Sequence, residues 1–168
     1  MVLPVTEENL LQAAAVHAES WRDSHRSFCS PEFVAAHTPQ RQAAYLRGEL
    51  MQGKRLWMLA EAQPVGLVSL WGSLIENLYV LPSEQGKGYG STLLRFAMAH
   101  CAGTPVLWVL SNNPRAQSLY QRHGFRMTGR EHPLSGTLAE LEMAWTGGEC
   151  PPVQSGSPQR QERGPSES

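Results

Sequence analysis

Net charge is almost absent from this chain: fourteen Lys and Arg face fifteen Asp and Glu in 168 residues, leaving a formal charge of −1. That balance offers no overall field to draw in nucleic acid or an anionic membrane, so any anion site has to be built locally. Long hydrophobic runs are missing as well; none approaches the roughly 18 residues a membrane span needs. The N-terminus, Met1-Val2-Leu3-Pro4, has no basic flank followed by an apolar stretch, which argues against a secretory leader. Cysteine is scarce. Cys29, Cys101 and Cys150 are odd in number and far apart, which fits the reducing cytoplasm better than a disulfide framework. The six histidines show no metal-ligand spacing with these cysteines, and no metal is expected. What remains is a globular composition, 41% hydrophobic and 17% charged. A chain of this length buries roughly 70% of its unfolded surface and needs no disulfide or metal to fold.

Residues 2–5 read as an edge strand. Thr6 is placed to cap a following helix, with Glu7 and Glu8 in its first turn and Leu10, Ala14, Ala18 and Trp21 at helical spacing. A loop with one helical turn is expected over 22–39, and a second helix over 40–52, with Ala43, Leu46 and Leu50 on one face. Leu56–Ala60 and Val65–Trp71 read as a hairpin, and 74–81 as a further strand ended by Pro82. Residues 91–102 form an amphipathic helix, with Cys101 a small apolar residue on its stripe. Val106–Leu110 is apolar without alternation, the pattern of a strand buried on both faces. Together 74–110 spell a parallel crossover. Pro114 opens another helix that carries Ala116, Leu119, Tyr120 and His123 on one face, and strands are expected at 125–130 and 138–145. Residues 147–168 are dominated by Pro, Gly, Ser, Gln and charge, with Val153 the one aliphatic residue, and read as a flexible tail behind a domain spanning 1–146.

The most informative stretch is Val80-Leu81-Pro82-Ser83-Glu84-Gln85-Gly86-Lys87-Gly88-Tyr89-Gly90-Ser91, between a strand and a helix. Three glycines in five residues let the backbone turn tightly and aim successive N–H groups at one point. Those donors and the positive end of the helix make an anion site without net charge, to which Lys87 adds a mobile cation and Ser91 a hydroxyl. Glycines in such a turn can also serve backbone angles alone. The loop is not a Walker A, because no Gly-Lys-Ser/Thr follows at the required spacing, and it does not match Gly-x-Gly-x-x-Gly.

Gln85-x-x-Gly88-x-Gly90, after Leu78-Tyr79-Val80 and Pro82, resembles the acetyl-CoA loop of the GNAT-type N-acetyltransferases, whose pattern is Gln/Arg-x-x-Gly-x-Gly/Ala. A second block matches in order: Asn113-x-x-Ala116-x-x-Leu119-Tyr120-x-x-x-Gly124-Phe125. The resemblance covers about 2–145. It implies a mixed α/β (α+β) architecture, a splayed mixed sheet flanked by helices, with acetyl-CoA as co-substrate between the 74–81 and 106–110 strands. It further implies that the backbone of Leu78 and Val80 pairs with the pantetheine arm. Gln85 and the N–H groups from Gly86 through Lys87, Gly88, Tyr89 and Gly90 to Ser91 hold the pyrophosphate, and Asn113 meets the cofactor's amide region. The implied reaction is direct attack of a primary amine, on a small molecule or a peptide, upon the thioester. An acyl-CoA-binding module without turnover is the alternative. A homodimer is compatible with the resemblance.

Two proton transfers then need groups. Tyr120 matches the family's proton donor by position; a tyrosine packed in the core is the plain alternative. Some members carry a glutamate base at a position that aligns with Leu74, and this sequence departs from that. Glu76 lies two residues on, on the same strand face, and is the candidate base through a water; Glu140 and Glu142 are weaker candidates. Trp21, Arg22 and His25 fall where the resemblance places the acceptor cleft, expected between 21–30 and 132–140.

Overall fold

The computed structural model describes residues 1–147. Seven strands form one mixed sheet: β1 (Val2–Pro4), β2 (Arg55–Ala60), β3 (Pro64–Trp71), β4 (Leu74–Val80), β5 (Val106–Leu110), β6 (Phe125–Ser135) and β7 (Leu138–Trp145), in the spatial order β1-β2-β3-β4-β5-β7-β6. The helices are α1 (Leu10–His25), α2 (Pro31–Ala35), α3 (Pro39–Met51), α4 (Tyr89–His100) and α5 (Pro114–Arg122). The expected mixed sheet, the β2–β3 hairpin and the parallel β4–α4–β5 crossover are all present. The proposed tail lies outside the described residues.

Each face of the sheet has its own apolar core. Leu10, Ala14, Leu46, Leu56 and Met58 close one layer under α1 and α3. Leu78, Val80, Leu93, Leu107, Val109 and Leu119 close the other under α4 and α5. Gly66 lets α4 settle on β3: a Cβ there would stand 2.7 Å from Leu93 Cδ1 and 3.0 Å from the Tyr79 carbonyl.

Four expectations are corrected. Thr6 does not cap α1; its N–H donates to Asn9 Oδ1 at 2.8 Å, so the polar residues form a turn and the helix begins at Leu10. Glu7 is drawn away to Arg47, 2.8 Å off on α3. The helix also runs past Trp21 to His25. β5 is not buried on both faces throughout, for Val106 and Trp108 are half-buried, and the Arg130 guanidinium covers the Trp108 ring at 5.9 Å. β6 continues to Ser135, well past 130, because its pairing with β7 persists to Ser135↔Leu138 before the turn at Gly136.

Candidate active site

β4 and β5 pair at only Leu74↔Val106 and Ile75↔Leu107, while β5 goes on pairing with β7 as far as Leu110↔Glu140. The two central strands therefore part after Ile75 and leave a gap. A bulge accompanies the parting. Ser69 faces Glu76 but Leu67 faces Tyr79, so β4 carries one extra residue, and Asn77 takes φ 51°. Asparagine is among the few non-glycine residues that accept that angle readily. Asn77 is buried and held on both sides. Its Oδ1 accepts from His17 Nε2 at 3.3 Å and its Nδ2 donates to Ser69 Oγ at 3.2 Å. Gln42 Nε2 donates to His17 Nδ1 at 2.8 Å. Burial, working against the Asn77 hydrogen bond, pulls the His17 imidazole down to about 4 and keeps it neutral.

The glycine loop follows. A 3-10 turn, Pro82–Glu84, leads to Gly86 and Gly88, both left-handed at φ 83° and 87°. Gly88 is the residue before α4, and no side chain caps that helix. Among the described residues no side-chain oxygen caps its first turn, which starts at Tyr89 and Gly90. An anionic pyrophosphate is the group the N–H donors of such a turn fit. Other predicted members of the site serve the loop itself. Gln85 Nε2 donates to the Val80 carbonyl at 3.3 Å, tying loop to strand. Lys87 pairs with Glu84 at 2.7 Å. The Ser91 hydroxyl is buried 3.3 Å from His123 Nε2. Asn113 Oδ1 caps α5 by accepting from Ala116 N at 3.2 Å, which leaves its amide NH₂ to donate.

Tyr120 is fully buried on α5 with its ring 6.2 Å from Phe125. Tyr79 on β4 is also fully buried; burial first, then the charges of Glu140 and Tyr120, push its hydroxyl above the usual phenol range. Tyr79, Tyr120 and Glu140 thus share one neighbourhood across the gap. Glu76 sits elsewhere on β4. Lys54 Nζ lies 3.3 Å from it and also pairs with Glu49. Burial would lower the Lys54 ammonium, but the Glu49 hydrogen bond and the two carboxylate charges hold it above the ordinary lysine value. Glu142 is occupied by Thr128 Oγ1 at 2.8 Å and Arg130 at 3.2 Å.

A cavity of about 350 Å³ lies between the α1–α3 layer and the β6–β7 hairpin, with Trp21, His25, His37, Tyr45 and Leu138 among its walls. It falls in the cleft expected from 21–30 and 132–140, although Arg22 lines a separate pocket. Trp21 is sandwiched, with the His25 ring 3.9 Å away on one side and the His37 ring 3.4 Å away on the other. A run of rings connects cavity and sheet: Tyr45 is 5.6 Å from His17, which is 5.2 Å from Tyr79. Sequence reading missed His17, Tyr79 and His37. No helix among the described residues is long and apolar enough to cross a membrane, and no cluster of three metal-ligating side chains occurs among them.

The splayed sheet with its glycine loop defines an acetyltransferase architecture. Residues 52–127 match the family model of the acetyltransferase (GNAT) domain. A peptidyl-lysine N-acetyltransferase, YjaB of Salmonella typhimurium, is 32% identical over 77 residues, 45% of this chain. That alignment spans about half, 52%, of the relative's own length. The apo solution structure of YjaB from Escherichia coli superposes with TM-score 0.66 at 24% identity, covering 88% of this chain and 98% of that one. The PaiA N-acetyltransferase of Thermoplasma acidophilum, solved with coenzyme A, superposes with TM-score 0.62 at 18% identity over 84% of this chain and 96% of that one.

Proposed function

We propose that this protein transfers an acetyl group from acetyl-CoA to a primary amine. The observation that carries the reading is the β4–β5 gap, which ends at the uncapped start of α4 behind a left-handed Gly88. Acetyl-CoA, when bound, supplies the thioester. Gly86 to Ser91 hold the diphosphate through backbone N–H groups, Leu78 and Val80 offer the β4 edge to the pantetheine arm, and Asn113 donates to an amide of that arm. The amine nitrogen bonds to the acyl carbon as the carbon–sulfur bond breaks. The amine gives up one proton, and the departing sulfur gains one from the Tyr120 hydroxyl. The products are the N-acetyl amide and the CoA thiol.

Glu76 is the proposed acceptor of the amine proton, through a water. A second assignment, Glu140, is favoured by its influence on Tyr79 in the gap. The names of the relatives bring peptidyl-lysine in as one acceptor, beside small amines. The test is calorimetric titration with acetyl-CoA, then thiol release across an amine panel. Micromolar binding with amine-dependent thiol release is expected. Binding without release for any amine would turn the protein into a CoA-binding module, and a preference for ATP over CoA would end the reading.

A further inference from the structure

Three features of the cavity beside α1 bear on what fits it. Its volume, about 350 Å³, is at the lower end of the range for small-molecule sites, and its walls are mainly aromatic and aliphatic. Among the described residues no aspartate or glutamate lines it. The sole charged residue on its wall among the described residues is Arg41, which is exposed and pairs with no carboxylate there. Arg41 stands in the first turn of α3, where its backbone N–H meets the Thr38 cap. A cation at a helix N-terminus opposes the helix dipole, so the position gives Arg41 no folding role.

The third feature is His25. Its Nδ1 lies 2.8 Å from the Trp21 carbonyl, and a carbonyl can only accept, so Nδ1 carries the proton. Nε2 is then a bare lone pair. His25 is 4% exposed and lines the cavity, and its Nε2 has no hydrogen-bond partner among the described residues. A buried acceptor of this kind is costly unless a donor reaches it.

From an unpartnered cation at the mouth, a buried acceptor within and apolar rings between, we infer that the acceptor substrate is a small amino carboxylic acid with an apolar side chain. Its carboxylate meets Arg41, its amine N–H groups turn toward His25 Nε2, and its side chain lies among Phe28, Phe33 and Leu134. Polyamines and lysine-rich segments are disfavoured, because the cavity offers their further charges no anion. This inference rests on the acetyl-transfer reading and narrows its substrate class.

The test compares L-phenylalanine with L-phenylalaninamide, 2-phenylethylamine, spermidine and an end-blocked lysyl tripeptide. Binding is measured calorimetrically on the free and the CoA-saturated protein, and turnover by thiol release with acetyl-CoA. L-phenylalanine should bind and react about ten-fold better than either carboxylate-free analogue, the worth of one charge-assisted Arg–carboxylate contact. Arg41→Gln should abolish that advantage through KM while acetyl-CoA affinity stays the same. Equal or better use of the amide, spermidine or the tripeptide overturns the inference. So does an advantage that survives Arg41→Gln, or no binding by any of the five. Acetyl-CoA binding is read separately: amino-acid binding without it would sink acetyl transfer and leave the cavity assignment standing.

Discussion

The gap between β4 and β5 and the cavity beneath the β6–β7 hairpin are built from different material. The gap is backbone: two strands that stop pairing after Ile75, a left-handed Gly88 and the open start of α4. The cavity is side chain: rings, an arginine and leucines brought from α1, α2, α3 and the hairpin. A backbone site tolerates exchange of most side chains around it but not of the glycines that shape it. A side-chain site is re-specified by single substitutions. The same scaffold can therefore keep its acyl donor while changing acceptors, and the two halves should respond differently to mutation.

The largest effect is expected at the loop. Gly88 sits at φ 87°, and a Cβ there would meet nothing within 4 Å. A side chain costs about 1–2 kcal/mol in backbone angle, which the fold can absorb. Gly88→Asp should leave circular dichroism native and lower acetyl-CoA affinity by about 100-fold or more, since its carboxylate faces the diphosphate at the helix start. Gly88→Ala shares the strain without the charge and should lose far less. Near-native affinity in Gly88→Asp by calorimetry would show that the loop is not the diphosphate site. Tyr120→Phe comes next. It removes one hydroxyl and little volume, so kcat should fall by about ten-fold to a few hundred-fold with acetyl-CoA affinity scarcely changed. An unchanged kcat would leave Tyr120 a packing residue.

The contrast also explains what could be read from the chain. Glycine spacing between a strand and a helix is local, so the 82–91 loop, the crossover and the α5 start at Pro114 were legible. The start of α1 was not, because Thr6, Glu7 and Glu8 look like a cap and a first turn, while Asn9 closes a turn instead. The Asn77 bulge leaves no pattern in sequence, since it depends on His17, Gln42 and Ser69 from three other elements. Lys54 joining Glu49 and Glu76 is likewise a long-range event. The family resemblance pointed to a cleft between 21–30 and 132–140, where a cavity lies, but that Arg41, His25 and His37 all line it emerges only from the fold.

His17, buried and neutral, holds the Asn77 bulge beside the gap, so that support should be acid-sensitive. His17 titrates at about 4 when folded and near 6.5 when unfolded. Between those values the unfolded chain binds more protons, so stability is lost as pH falls through this window. For one ring the loss is about 2 kcal/mol at pH 5 and about 3 kcal/mol below pH 4. Urea unfolding at pH 7 and pH 5 should show it. His17→Phe should be less stable at pH 7, where Gln42 and Asn77 lose a partner, yet lose less between pH 7 and 5. An identical acid loss in the variant would assign the effect to other groups.

The smallest effect should come from Glu76, the one proposed site residue that belongs wholly to neither half. It lies on β4, yet shares the Lys54 ammonium with Glu49 at the end of α3. A carboxylate engaged in that way assists proton removal only through a water, and its help matters only where the amine is charged. A lysine-like amine of pKa near 10.4 is about 0.1% neutral at pH 7.4, a cost of about 4 kcal/mol, whereas an α-amine of pKa near 7.8 costs well under 1 kcal/mol. With an α-amine acceptor, Glu76→Gln should therefore lower kcat/KM by about a few-fold below pH 8 and by nothing at pH 9.5. With a lysine-like acceptor the loss should be deeper and persist to higher pH. Profiles from pH 6 to 9.5 for wild type, Glu76→Gln and Glu140→Gln decide between the carboxylates. A constant ratio for Glu76→Gln beside a pH-dependent loss for Glu140→Gln would move the base to β7, opposite Tyr79, and place all the proton chemistry inside the backbone-built gap.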